Sequence, residues 1–198
     1  MALKINGVEL STRGTAYFNG SEVKKIIYNG TEVWRKANAL IPVMTSNTTP
    51  SGTVSCSSKY SNDTDAYKAF DGSLATNWLN TAGVYASGIV NQYIAYDFPN
   101  SVYIDHLGFV GMGTDASYLA KYDTTIYVYV SNGSKSWLLT SYEWSADDAY
   151  NEVQIPIKTG GLTQVKLTFS GRMRNGAEVA EHHYVCCAEL QAYGHVEE

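Results

Sequence analysis

Apolar and polar positions along this chain alternate with the two-residue period of strands, and turn residues cut the alternation at short intervals. Residues 91–98 place Gln92, Ile94, Tyr96 and Phe98 on one face. Runs at 124–130, 151–157 and 164–169 are rich in β-branched and aromatic side chains, and residues 186–193 close the series. Helical periodicity is missing from these runs. Many short strands at turn-punctuated spacing predict an all-β sandwich.

The first 36 residues follow the same logic on a smaller scale. Asn6-Gly7, Asn19-Gly20 and Asn29-Gly30 each sit between short alternating runs, which predicts hairpins. A two-residue loop at Asn29-Gly30 sets Tyr28 opposite Thr31, Ile26 opposite Val33 and Lys24 opposite Arg35. The other face then pairs Ile27 with Glu32 and Lys25 with Trp34. So small a sheet has a limited core, and it is expected to lean on a partner chain or on the rest of the protein. Residues 45–53 are polar and turn-forming. The boundary is placed near residues 37–40, dividing a hairpin module over 1–37 from a sandwich over 40–195.

Composition narrows the function classes. The 198 residues, 44% of them hydrophobic, suit one ordinary domain plus a small appendage. The 16 Tyr and 17 Gly favour strands and turns. A net charge of −5 without a basic tract argues against nucleic acid and anionic lipid. No run is apolar and long enough to predict membrane insertion, and the first seven residues lack an apolar signal core. The expectation is a protein that stays where it is made or leaves without a cleaved signal.

Cys56, Cys186 and Cys187 are odd in number and irregular in spacing, so they read as small buried hydrophobes, with one bridge from Cys56 to the C-terminal pair as the alternative. Five Asn-X-Ser/Thr sequons, at Asn19, Asn29, Asn47, Asn62 and Asn132, are attributed to chance.

Residues 66–78, Ala-Tyr-Lys-Ala-Phe-Asp-Gly-Ser-Leu-Ala-Thr-Asn-Trp, match the pattern A-x-x-A-F-D-G-x-x-x-T-x-W. This resembles the signature of the discoidin, or coagulation-factor type C, family. Four later segments fit the family in order: residues 93–98, residues 102–109, residues 127–133 with Trp137, and residues 189–194. Gly133 stands where the family usually has Asp. The resemblance implies a galactose-binding-like jelly roll, a fold shared with many carbohydrate-binding modules. Separately, residues 26–34, Ile-Ile-Tyr-Asn-Gly-Thr-Glu-Val-Trp, resemble a hairpin module of tail and baseplate proteins of bacteriophages that infect Gram-positive bacteria. A generic hairpin is the alternative.

The first motif has its own physical logic. Asp71 offers a carboxylate, Gly72 permits a sharp turn, and Thr76 returns a hydroxyl. Such a loop suits a hard cation if main-chain carbonyls and a distant carboxylate join it, because calcium takes about 6–8 oxygens at roughly 2.3–2.6 Å. The resemblance implies a structural calcium, or sodium, held by the carbonyls of Lys68, Ser73 and Ala188 and the side chains of Asp71, Thr76 and Glu189. The alternative is that Asp71 only caps its turn. Trp78, at its motif position, reads as core.

The resemblance also implies that ligands bind loops at one end of the sandwich, here residues 80–88, 111–122 and 170–183. Sugar recognition needs a flat aromatic face and fixed polar groups. Tyr85 and Tyr118 are the candidate platforms. Asn80, Asp115, Arg172, Arg174, Asn175 and His182 are the candidate polar partners.

Enzymatic motifs are missing: no Gly-x-Ser-x-Gly, no phosphate-binding glycine loop and no His-Glu-x-x-His. His182-His183 and Asp147-Asp148 are chain neighbours rather than facing pairs. The expected function is non-catalytic binding of bacterial surface glycan by a homo-oligomeric phage tail or baseplate protein, with other virion proteins as partners. The alternatives are a virion assembly module without sugar binding and an accessory module of a secreted glycosidase.

Overall fold

The structure, a computed structural model, describes residues 3–5, 8–10, 16–18, 21–80, 89–111, 124–144, 150–155, 160–173 and 185–197. Three hairpins come first. Leu3–Ile5 (β1) pairs with Val8–Leu10 (β2), Ala16–Phe18 (β3) with Ser21–Val23 (β4), and Lys25–Tyr28 (β5) with Thr31–Arg35 (β6). The first two Asn-Gly turns lie outside the described residues. In the third, Asn29 and Gly30 take φ of 49° and 76°, the left-handed values that a tight hairpin loop requires.

The register expected for the third hairpin holds only beside the turn. Tyr28 faces Thr31 and Ile27 faces Glu32, but Ile26 then faces Trp34 and Lys25 faces Arg35, not Val33 and Trp34 respectively. One residue of the second strand, Val33, is left out of the ladder as a bulge, which shifts every later pair by one.

Asn38–Ala39 (β7) and Thr53–Cys56 (β8) follow, then 3₁₀ turns at Asn62–Thr64 and Ala66–Phe70 and the short strand Trp78–Leu79 (β9). Ile89–Val110 (β10), Thr124–Ser131 (β11), Ser136–Trp144 (β12), Tyr150–Gln154 (β13) and Leu162–Met173 (β14) form most of the sandwich. Cys186–Cys187 (β15) and Glu189–Val196 (β16) end it. All pairings are antiparallel, and the fold is the all-β sandwich that the alternation predicts.

Strand β10 belongs to both layers. Its first part pairs with β8 and β14, and β14 continues to β11 and β12. Its second part pairs with β13 and β16, and β16 continues to β7. The ladder shifts register between Asp97 and Val102, around Pro99. The run expected over 186–193 is split, because Cys186 and Cys187 pair with Leu79 and Trp78 instead of joining β16.

The core lies between the layers. Ile94, Tyr96, Phe98, Ile126, Val128, Leu167 and Phe169 point into it from the first layer, and Ile104, Leu107 and Leu190 from the second. Trp78 is completely buried against Phe169, ring centres 6.2 Å apart, with its indole N–H donating to the Ser58 carbonyl at 2.9 Å. Tyr96 packs edge-on against Phe98 and donates its hydroxyl to the Ser51 carbonyl at 2.8 Å. All three cysteines are free thiols, with Cys186 and Cys187 buried and Cys56 half-buried.

Candidate functional site

The 3₁₀ turn over Ala66–Phe70 delivers the motif loop. Asp65 caps it by accepting the Ala66 amide at 2.7 Å. Asn47 locks the cap from outside, donating to Asp65 and accepting the Tyr67 amide, both at 3.0 Å. Ala69 and Phe70 plug into the core, so Asp71 emerges at the surface end of the turn in a fixed place.

Gly72 follows with φ of 72°, where a side chain would be strained. The chain folds back on Asp71. Its carboxylate accepts the Ser73 amide at 3.0 Å, and the Thr76 hydroxyl lies 2.8 Å from both of its oxygens and 3.1 Å from the Ser73 carbonyl. Glu189, from the start of β16, accepts the Gly72 amide at 3.1 Å across 117 residues of sequence. The Lys68 ammonium stands 3.5 Å from Asp71. Beside Glu189, the Ala188 amide donates to the Val110 carbonyl at 2.8 Å. Asp71, Ser73, Thr76 and Glu189 are thus brought into one loop-to-strand junction, joined by Lys68 through its ammonium.

Charge makes this junction unusual. Burial pushes the Glu189 carboxyl up to about 7; the Gly72 amide opposes that shift and the nearby Asp71 carboxylate adds to it. Two carboxylates, a hydroxyl and the Ser73 carbonyl form a hard-oxygen donor set whose second negative charge is disfavoured. Such a set fits a hard cation, which would reverse the penalty. Among the described residues, no three His, Cys, Asp or Glu side chains converge anywhere. A cation at this junction therefore depends on hydroxyl and carbonyl oxygens to complete its shell.

The loop residues expected to contact a ligand fall mostly elsewhere. Tyr85, Asp115, Tyr118, Arg174, Asn175 and His182 lie outside the described residues, as do His183 and Asp147-Asp148. Arg172 falls within β14. Asn80 is completely buried just after β9, where its side-chain oxygen accepts the Val185 amide at 2.9 Å and its main-chain N–H donates to the Val185 carbonyl at 3.2 Å. Its described contacts extend the β9–β15 pair.

Two features went unnoticed in the sequence. A cleft of about 470 Å³ opens between the hairpin segment and the edge of β16, lined by Lys24, Lys25, Arg35, Lys36, Glu22 and His195. Glu22 spans it to pair with Lys36 at 2.5 Å. The second is the outer face of the first layer, where Tyr93, Tyr127, Tyr129 and Lys166 stand half-exposed. Alternation held the clue, since these positions interleave with the core residues Ile94, Ile126, Val128 and Leu167. Which of them become neighbours depends on strand order.

No protein-family model matches the sequence, and no curated protein matches it. Solved structures do. The family 32 carbohydrate-binding module of C. perfringens NanJ, solved in complex with galactose, superposes with a TM-score of 0.55 at 15% identity, covering 72% of this chain and 93% of that one. The F5/8 type C domain of a Bacteroides fragilis protein gives 0.56 at 15%, covering 74% and 93%. Chitosan-binding module 1 from a Paenibacillus chitosanase/glucanase gives 0.53 at 19%, covering 72% and 94%. At these identities the likeness establishes the fold: the chain has the architecture of discoidin-like, galactose-binding-like domains.

Proposed function

We propose that this chain is a non-catalytic module that binds glycan on bacterial surfaces and belongs to a phage tail or baseplate assembly. The observation that carries the glycan reading is the fold, held in common with modules solved as sugar complexes or described as chitosan-binding. The Asn29-Gly30 hairpin and its sequence likeness to tail and baseplate modules support the phage setting. Ile27 and Tyr28 are 56% and 68% exposed on that hairpin, which supports self-association through it. Single sugar sites bind weakly, and several copies on one assembly multiply the avidity.

We assign a structural calcium to the junction of Asp71, Ser73, Thr76 and Glu189, with the Lys68 and Ala188 carbonyls completing its shell. There it would neutralise the paired carboxylates and tie the motif loop to β16. A second reading, an accessory module of a secreted polysaccharide-degrading enzyme, is favoured by the origin of one structural neighbour in a chitosanase/glucanase.

The direct test presents the full chain to a glycan array and to purified cell-wall polysaccharides of Gram-positive bacteria. Selective retention by cell-wall glycans is expected. Retention only by substrates of polysaccharide-degrading enzymes, such as chitosan, would favour the accessory reading. Silence across array, polysaccharides and intact cells overturns glycan binding.

A further inference from the structure

On the outer face of the first layer, Thr168 of β14 is the cross-strand partner of Tyr93 on one side and of Tyr127 on the other. Two residues away on the same strand and the same face, Lys166 stands between Ala95 and Tyr129. The three tyrosines therefore surround one lysine and one threonine. Tyr93 and Tyr127 are two inter-strand spacings apart, roughly 9–10 Å.

The Lys166 ammonium sits 5.6 Å from the centre of the Tyr93 ring and 5.3 Å from that of Tyr129, so the two rings steady it over the sheet. Among the described residues no carboxylate forms an ion pair with it. The one acidic side chain on the same face of β10, Asp97, is engaged by the Gln164 amide at 2.6 Å. An unneutralised cation amid phenol rings is notable on a chain whose net charge is −5.

Thr168 supplies an independent observation. It is 9% exposed, and its hydroxyl has no hydrogen-bond partner. A buried hydroxyl left unpaired is disfavoured, and nothing in the packing of an outer face demands a threonine there in place of valine.

We propose that this face is a binding platform for an anionic saccharide, such as a uronate-containing or phosphate-bearing glycan. The Tyr93 and Tyr127 rings receive the C–H faces of sugar units, and Lys166 receives the anionic group. Rotation of either flanking ring exposes the Thr168 hydroxyl to a sugar hydroxyl. The proposal rests on the glycan-binding reading and moves its site from the end loops to the sheet.

The test uses the full chain in affinity electrophoresis through gels containing alginate, polygalacturonate or neutral dextran, with loop variants Tyr85→Ala and Tyr118→Ala for comparison. The expected result is retention by the anionic polymers over dextran. Lys166→Met and Tyr127→Ala should each weaken it about tenfold, roughly one 1.4 kcal/mol step. Thr168→Val should weaken binding while raising the melting temperature, because it removes an unpaired buried hydroxyl; a purely structural threonine would not couple a gain in stability to a loss of binding. Equal retention by dextran and the anionic polymers, insensitive to Lys166→Met, overturns the anionic class. Sheet variants that bind like the wild type while loop variants fail overturn the platform and leave glycan binding standing. No retention of the wild type by any glycan overturns both.

Discussion

At the scale of single residues, Glu189 is held by the folded chain in a place that favours its protonated form, because burial and the neighbouring Asp71 both raise its carboxyl. The folded protein binds that proton more tightly than the unfolded one. The group's contribution to stability therefore falls as pH rises from the ordinary carboxylate range through about 7. Glu189→Gln keeps an acceptor for the Gly72 amide but loses the charge. In chelator, the variant should melt higher than the wild type at pH 8 and alike at pH 5. Added calcium should raise the wild-type melting temperature and leave the variant unmoved; the same calcium response in both would remove Glu189 from the cation shell. Gly194 is a sharper case. A Cβ there would run into the Tyr103 carbonyl on the neighbouring strand, so this closing glycine of the last motif marks close strand contact. Gly194→Ala should destabilise by about 1–3 kcal/mol, the usual range for overpacking a tight site, read from urea midpoints. A variant as stable as the wild type would refute that account.

At the scale of elements, the strands around residues 91–98, 124–130, 151–154 and 164–169 were legible, whereas β8, β9 and β12 and the strands' neighbours were not. Residues 94, 96 and 98 declare the core side of β10 by alternation, and the loop from Asp71 to Thr76 declares itself because its contacts span five residues. Tyr93, Thr168 and Tyr127 meet only because β14 inserts between β10 and β11. That order is set by long-range pairing and leaves no mark on any single segment. The Val33 bulge escaped for a related reason: hairpin register follows from turn length only while every residue stays in the ladder. The hairpins also differ from the sandwich in how they are held. Strand β7 pairs with β16 through Ala39 and Asn38, and Leu40 donates to the Ala192 carbonyl at 2.8 Å, so the sandwich closes around residues 38–40. A chain starting at residue 37 should keep the melting temperature of the full protein within a few degrees, measured by differential scanning calorimetry. A large drop would mean that the hairpins carry part of the core.

At the scale of the whole molecule, segments far apart in sequence are tied to one another. Gln191 of β16 accepts the Ile41 amide at 3.0 Å and donates to the Ile41 carbonyl at 2.8 Å, while Met44 donates to the Phe70 carbonyl at 2.9 Å. The two layers are joined by β10, which runs through one and then the other as 22 continuous residues. Among the described residues, two layers that share a backbone strand cannot part as separate bodies without breaking its ladders. Under the proposed glycan reading, the sheet face of such a body acts as a stamp whose backbone relief is set before it meets a sugar, with only side chains free to adjust. Under that same proposal, turning the stamp toward a cell is the work of whatever carries it, a task separate from recognition that the small N-terminal hairpins would serve.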